Sequence, residues 1–94
     1  MKSVLIALVA TLGLAGAQAA IAQEALAKSS GCLNCHAADT KKIGPSFKSV
    51  AEKYKGKADA DATLVAKLKN GTGHPAQKAS DADLKSLVKW VLSM

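Results

Sequence analysis

The residues best equipped for chemistry fall within five positions, Cys32-Leu33-Asn34-Cys35-His36. Two thiols with two residues between them can each add to one of the two vinyl groups of a single haem, and an imidazole beside the second thiol can then coordinate the iron from the same side. This C-x-x-C-H spacing reads as c-type haem attachment, with Cys32 and Cys35 as thioethers and His36 as the proximal iron ligand. Three other uses of the motif compete. A disulfide across so short a loop gains little chain entropy. A thioredoxin-like redox pair needs a neighbouring βαβ pattern, and no run of alternating β-branched residues follows residue 22. Zinc would find four ligands in Cys32, Cys35, His36 and His74, although adjacent Cys35 and His36 point poorly toward one tetrahedral centre.

The elements that position this motif must come from a short chain. Its 94 residues make one small domain and exclude a multidomain enzyme. Residues 1–22 read as a secretory signal: Met1-Lys2 is a positive start, Val4 to Leu14 an apolar run, and Ala17-Gln18-Ala19 or Ala20-Ile21-Ala22 a small-x-small cleavage pattern. The second site is preferred, which leaves residues 23–94 as the domain and the periplasm as its expected location. A membrane anchor is the competing reading, but Thr11, Gly13, Gly16 and Gln18 interrupt the run, and a spanning helix needs about 20 predominantly apolar residues. No stable membrane association is expected after cleavage.

Residues 23–94 hold 30 apolar side chains, of which 12 are alanine and 2 are cysteine. That leaves 16 larger groups, a thin core for a domain below about 80 residues. A large apolar ring attached at Cys32 and Cys35 would supply part of the missing interior.

Helical periodicity runs throughout. Phe47, Val50, Ala51 and Tyr54 recur at i, i+3, i+4, i+7, as do Leu84, Leu87, Val88 and Val91. Asp61, Leu64, Val65 and Leu68 keep the same spacing with a polar first member near a helix start. Ser80-Asp81-Ala82-Asp83 places a hydroxyl cap and two acids in a first turn. A shorter helix is expected from about Glu24 to Lys28. Loops are expected at Ala37 to Gly44, Gly56 to Ala60 and Asn70 to Ala79, each marked by Gly, Pro, Asp or Asn.

Further segments carry a resemblance. Gly31 to His36, Ile43-Gly44-Pro45, Val50 to Gly56 (V-A-x-K-Y-x-G), Lys69-Asn70-Gly71 and Trp90 to Ser93 (W-V-L-S) together resemble the small periplasmic monohaem class I cytochromes c of bacteria. The resemblance implies an all-α cytochrome c fold, about four short helices wrapped around one covalent haem, with the first and last helices crossing near it. It also implies that the Pro45 carbonyl accepts a hydrogen bond from His36, raising its basicity. Taken alone, Pro45 also suits the first position of a helix. Tyr54 and Trp90 suit core and haem packing, each with a polar tip.

The chain departs from that family in one place. The usual distal ligand is a methionine after the K-N-G, but the only methionines here are Met1 and Met94. The loop from Gly71 to Ala79 is shorter and contains His74, followed by Pro75, which biases it toward an extended conformation. His74 is therefore expected as the sixth ligand, giving His36/His74 coordination. The competing readings leave His74 in solvent and the iron five-coordinate, or capped by water, Lys78 or Met94.

Two imidazoles would lower the potential relative to a Met/His pair, because the thioether favours Fe(II). Electron transfer without catalysis is the expected function. The alternative is binding or sensing of NO or CO at an open or displaceable sixth site. After Lys2 is removed, 12 lysines face 7 acids. That balance favours transient docking to acidic redox proteins, and dispersed lysines without stacking aromatics argue against nucleic acid. A monomer is expected, with a dimer as the alternative.

Overall fold

The computed structural model describes residues 12–94, with side chains from residue 20 onward. Half of the proposed signal segment, residues 1–11, including Val4 and its apolar neighbours, lies outside the described residues. The elements are α1 (Leu12–Ser29), a single 3₁₀ turn (Cys32–Asn34), α2 (Phe47–Tyr54), α3 (Ala60–Asn70) and α4 (Asp81–Leu92). No strand occurs among the described residues, as the helical periodicity requires.

α1 begins earlier than the Glu24–Lys28 stretch expected from the sequence. In the uncleaved chain, five of residues 12–22 are alanine, the best helix former, which carries the helix back past the expected cleavage point. Lys28 lies in its last turn, where a cation complements the helix dipole. The chain then leaves through Gly31 at φ 82°, a left-handed conformation that costs glycine nothing, and enters the 3₁₀ turn that carries the cysteines.

α2 and α4 share one N-terminal device. Ser46 Oγ accepts from the Ser49 N–H at 3.1 Å, and Ser80 Oγ accepts from the Asp83 N–H at 3.2 Å. Each bond satisfies an amide that the first helical turn leaves without an internal partner. Because Ser46 is the cap, Pro45 stands one residue outside α2 and not at its first helical position. Asp81 and Asp83 fall in the first turn of α4, as the sequence indicated.

α4 is the hub of the fold, and α1, α2 and α3 all pack against it. Its buried face is Leu84, Leu87 and Val88, with Leu84 only 1% exposed. They meet Ala27 of α1 and Phe47 and Ala51 of α2 in the buried set, to which α3 contributes Ala60. Three of these seven apolar residues are alanines, so the core is as thin as the composition implied. The first and last helices do pack on one another.

With so few large buried groups, each matters. Leu87→Ala should cost about 2–5 kcal/mol, comparable with the roughly 3–5 kcal/mol that such a small core supplies in total. Lys41, exposed in the loop before Ile43, is the contrast: Lys41→Ala should stay within about 0.5 kcal/mol of the parent. Urea denaturation followed by far-ultraviolet circular dichroism reads both.

Candidate functional site

The helices close around a cavity of about 540 Å³ instead of a filled centre. Cys32, Cys35, His36, Pro45, Tyr54, His74 and Trp90 all line it, so the fold brings every residue singled out by sequence to one place. Its remaining walls are largely apolar: Val50 of α2, Leu64 and Leu68 of α3, and Leu84, Leu87 and Val91 of α4. The outer faces of α3 and α4 border a second depression, but its lining, including Asp61, Lys69 and Lys85, holds neither cysteine nor histidine.

Backbone bonds set the motif against the following loop. The His36 N–H donates to Cys32 O at 3.0 Å, the Gly44 N–H to Cys35 O at 2.7 Å, and the Phe47 N–H to Ala37 O at 2.9 Å. Lys42 Nζ adds a bond to Leu33 O at 3.0 Å, tying the 3₁₀ turn to the chain nine residues on. Burial pushes the Cys32 thiol above its ordinary pKa, outweighing its backbone hydrogen bond, so the free thiol stays protonated at neutral pH.

His36 is fixed from several directions. Its Nδ1 lies 2.6 Å from Pro45 O, and because a carbonyl only accepts, Nδ1 carries the proton and Nε2 keeps its lone pair. The Phe47 ring stacks against the imidazole with centroids 5.3 Å apart, and Trp90 meets Phe47 edge-on at 5.5 Å. Gly44 permits this arrangement: a Cβ there would stand 2.5 Å from His36 Cε1 and 2.9 Å from Nδ1. Sequence reasoning passed over this glycine, because its need is a contact eight residues away.

His74 faces His36. The two rings are parallel within 3° and their centroids are 5.9 Å apart. Its Nδ1 is 2.8 Å from Pro75 O, which assigns the proton to Nδ1 and leaves Nε2 free, as in His36. Among the described residues no three His, Cys, Asp or Glu side chains converge to hold a metal ion. The zinc alternative built on Cys32, Cys35, His36 and His74 therefore lacks its geometry.

At another part of the cavity wall, Lys67 Nζ donates to Tyr54 Oη at 3.1 Å. The ammonium groups of Lys53, Lys57 and Lys67 stand 5.7, 5.2 and 5.8 Å from the Tyr54 ring centroid. Lysines that look dispersed in sequence are thus gathered around one phenol. The Lys67 hydrogen bond, helped by the charges of Lys67, Lys53 and Lys57, outweighs burial and lowers the Tyr54 pKa from its ordinary value.

A family model described as cytochrome c matches residues 19–94. Cytochrome c-552 of Hydrogenobacter thermophilus is 43% identical over 94 residues, covering 93% of this chain and 94% of the relative. Cytochrome c-551 of Pseudomonas aeruginosa is 44% identical over 77 residues, covering 74% of each chain. The solved structure of wild-type Nitrosomonas europaea cytochrome c552 superposes with a TM-score of 0.68 at 38% identity, covering 74% of this chain and 96% of that one.

Gly44→Ala should force His36 off its Pro45 bond and destabilise the domain by about 1–3 kcal/mol, the usual cost of overpacking. A denaturation curve and the His36 ring resonances in NMR check both effects. Tyr54 is the only tyrosine, so its titration can be followed without ambiguity. It should lose its proton below the ordinary tyrosine range, because Lys67 favours the phenolate, and Lys67→Met should raise the midpoint again.

Proposed function

The chain belongs to the cytochrome c family, carrying one haem c attached through Cys32 and Cys35, and from that premise we propose a periplasmic electron carrier whose iron is held between His36 and His74. Haem iron supplies the one-electron couple, and the protein groups determine how that couple is held. The observation that carries the proposal is the matched pair of imidazoles, parallel and 5.9 Å apart across one cavity, each with Nδ1 bonded to a proline carbonyl.

Each carbonyl does two things. It selects the tautomer whose Nε2 can bind a metal, and by drawing on the Nδ1 proton it makes the ring a stronger donor. Stronger nitrogen donors favour Fe(III), and the thioether that would raise the potential is absent from the loop before α4. The potential should therefore lie below that of a Met/His relative.

The remaining side chains suit transfer without bond making. Leu64, Leu68, Leu84 and Val91 give the cavity an apolar lining, and with His36 and His74 both holding the iron no position would be left for a substrate, in keeping with a carrier and not an enzyme. Lys53, Lys57 and Lys67 present positive charge where α2 and α3 border the cavity, a surface suited to brief encounters with acidic redox proteins. Residues 1–22 would direct export to the periplasm and then be removed. No helix among the described residues is long and apolar enough to cross a membrane.

Carbon monoxide tests the axial pair. The visible spectrum of the dithionite-reduced holoprotein should not change on adding CO, while the His74→Ala variant should bind it readily. Ready binding by the wild type would overturn His74 as the sixth ligand and turn the function toward small-ligand binding.

A further inference from the structure

The short connection between α3 and α4 contains one side chain to which the function above assigns no part. Gln77 is half-buried on the cavity wall. Its backbone N–H donates to Leu68 O at 2.7 Å, one of the last α3 carbonyls, which a helix end leaves without an internal partner. Its side-chain Nε2 donates to Pro75 O at 2.9 Å. This is the same oxygen that accepts from His74 Nδ1 at 2.8 Å. A carbonyl has two lone pairs and can serve both donors.

The two histidines differ in how their proline carbonyls are held. Pro45 directly precedes the Ser46 cap of α2, so its peptide is fixed by the helix that follows. Pro75 is exposed in a loop without regular structure, two residues after Gly73 at φ 70°. Nothing in that local backbone prevents its carbonyl from turning to water. Gln77, itself anchored to α3, supplies the missing restraint from the other side.

We propose that Gln77 is a positioning residue for the distal imidazole: by holding the Pro75 carbonyl toward His74, it fixes the tautomer and ring orientation that keep His74 on the iron. The chain of contacts runs from the end of α3 through Gln77 and Pro75 to His74. The inference rests on His74 being the sixth ligand.

Two substitutions remove the donor in different ways. Gln77→Glu keeps the shape but presents a carboxylate that cannot donate at neutral pH, and Gln77→Leu removes the donor without adding charge or a group that could bind iron. Lys78→Gln alters the next residue, which is exposed. In the ferrous holoprotein, both Gln77 variants should bind CO where the wild type shows no change, with the hold on His74 weakened about tenfold, the scale of one hydrogen bond's net contribution. The His74 Nδ1 proton, followed by NMR, should exchange with water faster by a similar factor. The His36 Nδ1 proton should be unaffected, and Lys78→Gln should match the wild type.

If both Gln77 variants keep wild-type rates while His74→Ala is open to CO, the inference falls and the axial assignment stands. An equal effect from Lys78→Gln, or an effect of Gln77→Glu not shared by Gln77→Leu, would also overturn it, because general loop loosening or added charge would then be the cause. Wild-type protein that binds CO as readily as His74→Ala would overturn both the inference and the axial assignment.

Discussion

The scarcity of large apolar side chains constrains everything else in this molecule. Leu84, Leu87, Val88 and Phe47, with three alanines, form the buried apolar set, and even with every helix packed on α4 they leave part of the interior unfilled. The remaining space is the cavity flanked by the cysteine motif. A covalently attached haem would turn this shortage to use: its apolar ring would complete the interior, and the helices that are marginal alone would gain a common surface to bury against. Stability and the proposed redox function would then depend on the same contact.

Polar order at the cavity is achieved with few side chains. Two imidazoles face each other, and each is oriented by a backbone carbonyl that cannot titrate. The proximal arrangement is rigid because the helix cap, Phe47 and the missing side chain of Gly44 all bear on His36. The distal arrangement is assembled from a short loop and is less constrained by regular structure, which makes its few cross-links more important. Such an asymmetry suits the proposed pair, in which one ligand would lie beside the covalent anchor and the other would come from the loop between α3 and α4.

The last three helices were legible because each repeats apolar residues at helical spacing, and the cap at Ser80 and the loops marked by glycine and proline lie where local chemistry puts them. The C-x-x-C-H motif was legible for the same reason, since its chemistry is confined to five consecutive residues. The errors were also local. α1 extends back to Leu12 because alanine-rich sequence continues a helix whatever its later processing, and Pro45 precedes the helix because Ser46 provides the better cap. Gly44, Gln77 and the Lys67 contact with Tyr54 were not readable: each depends on a partner at the surface of another segment, and neither periodicity nor composition reports such a meeting.

By itself, then, the sequence determined the helical class, the attachment chemistry at Cys32 and Cys35, the excess of lysine and the absence of methionine between residues 2 and 93. All of these follow from residue type and short-range spacing, which the covalent chain carries directly. Only the tertiary structure decided that His74 stands parallel to His36, that Lys53, Lys57 and Lys67 surround one phenol, and that Gln77 and His74 share one carbonyl. Those relations join residues on different helices and loops, and their distances exist only once burial against α4 has fixed where each segment lies.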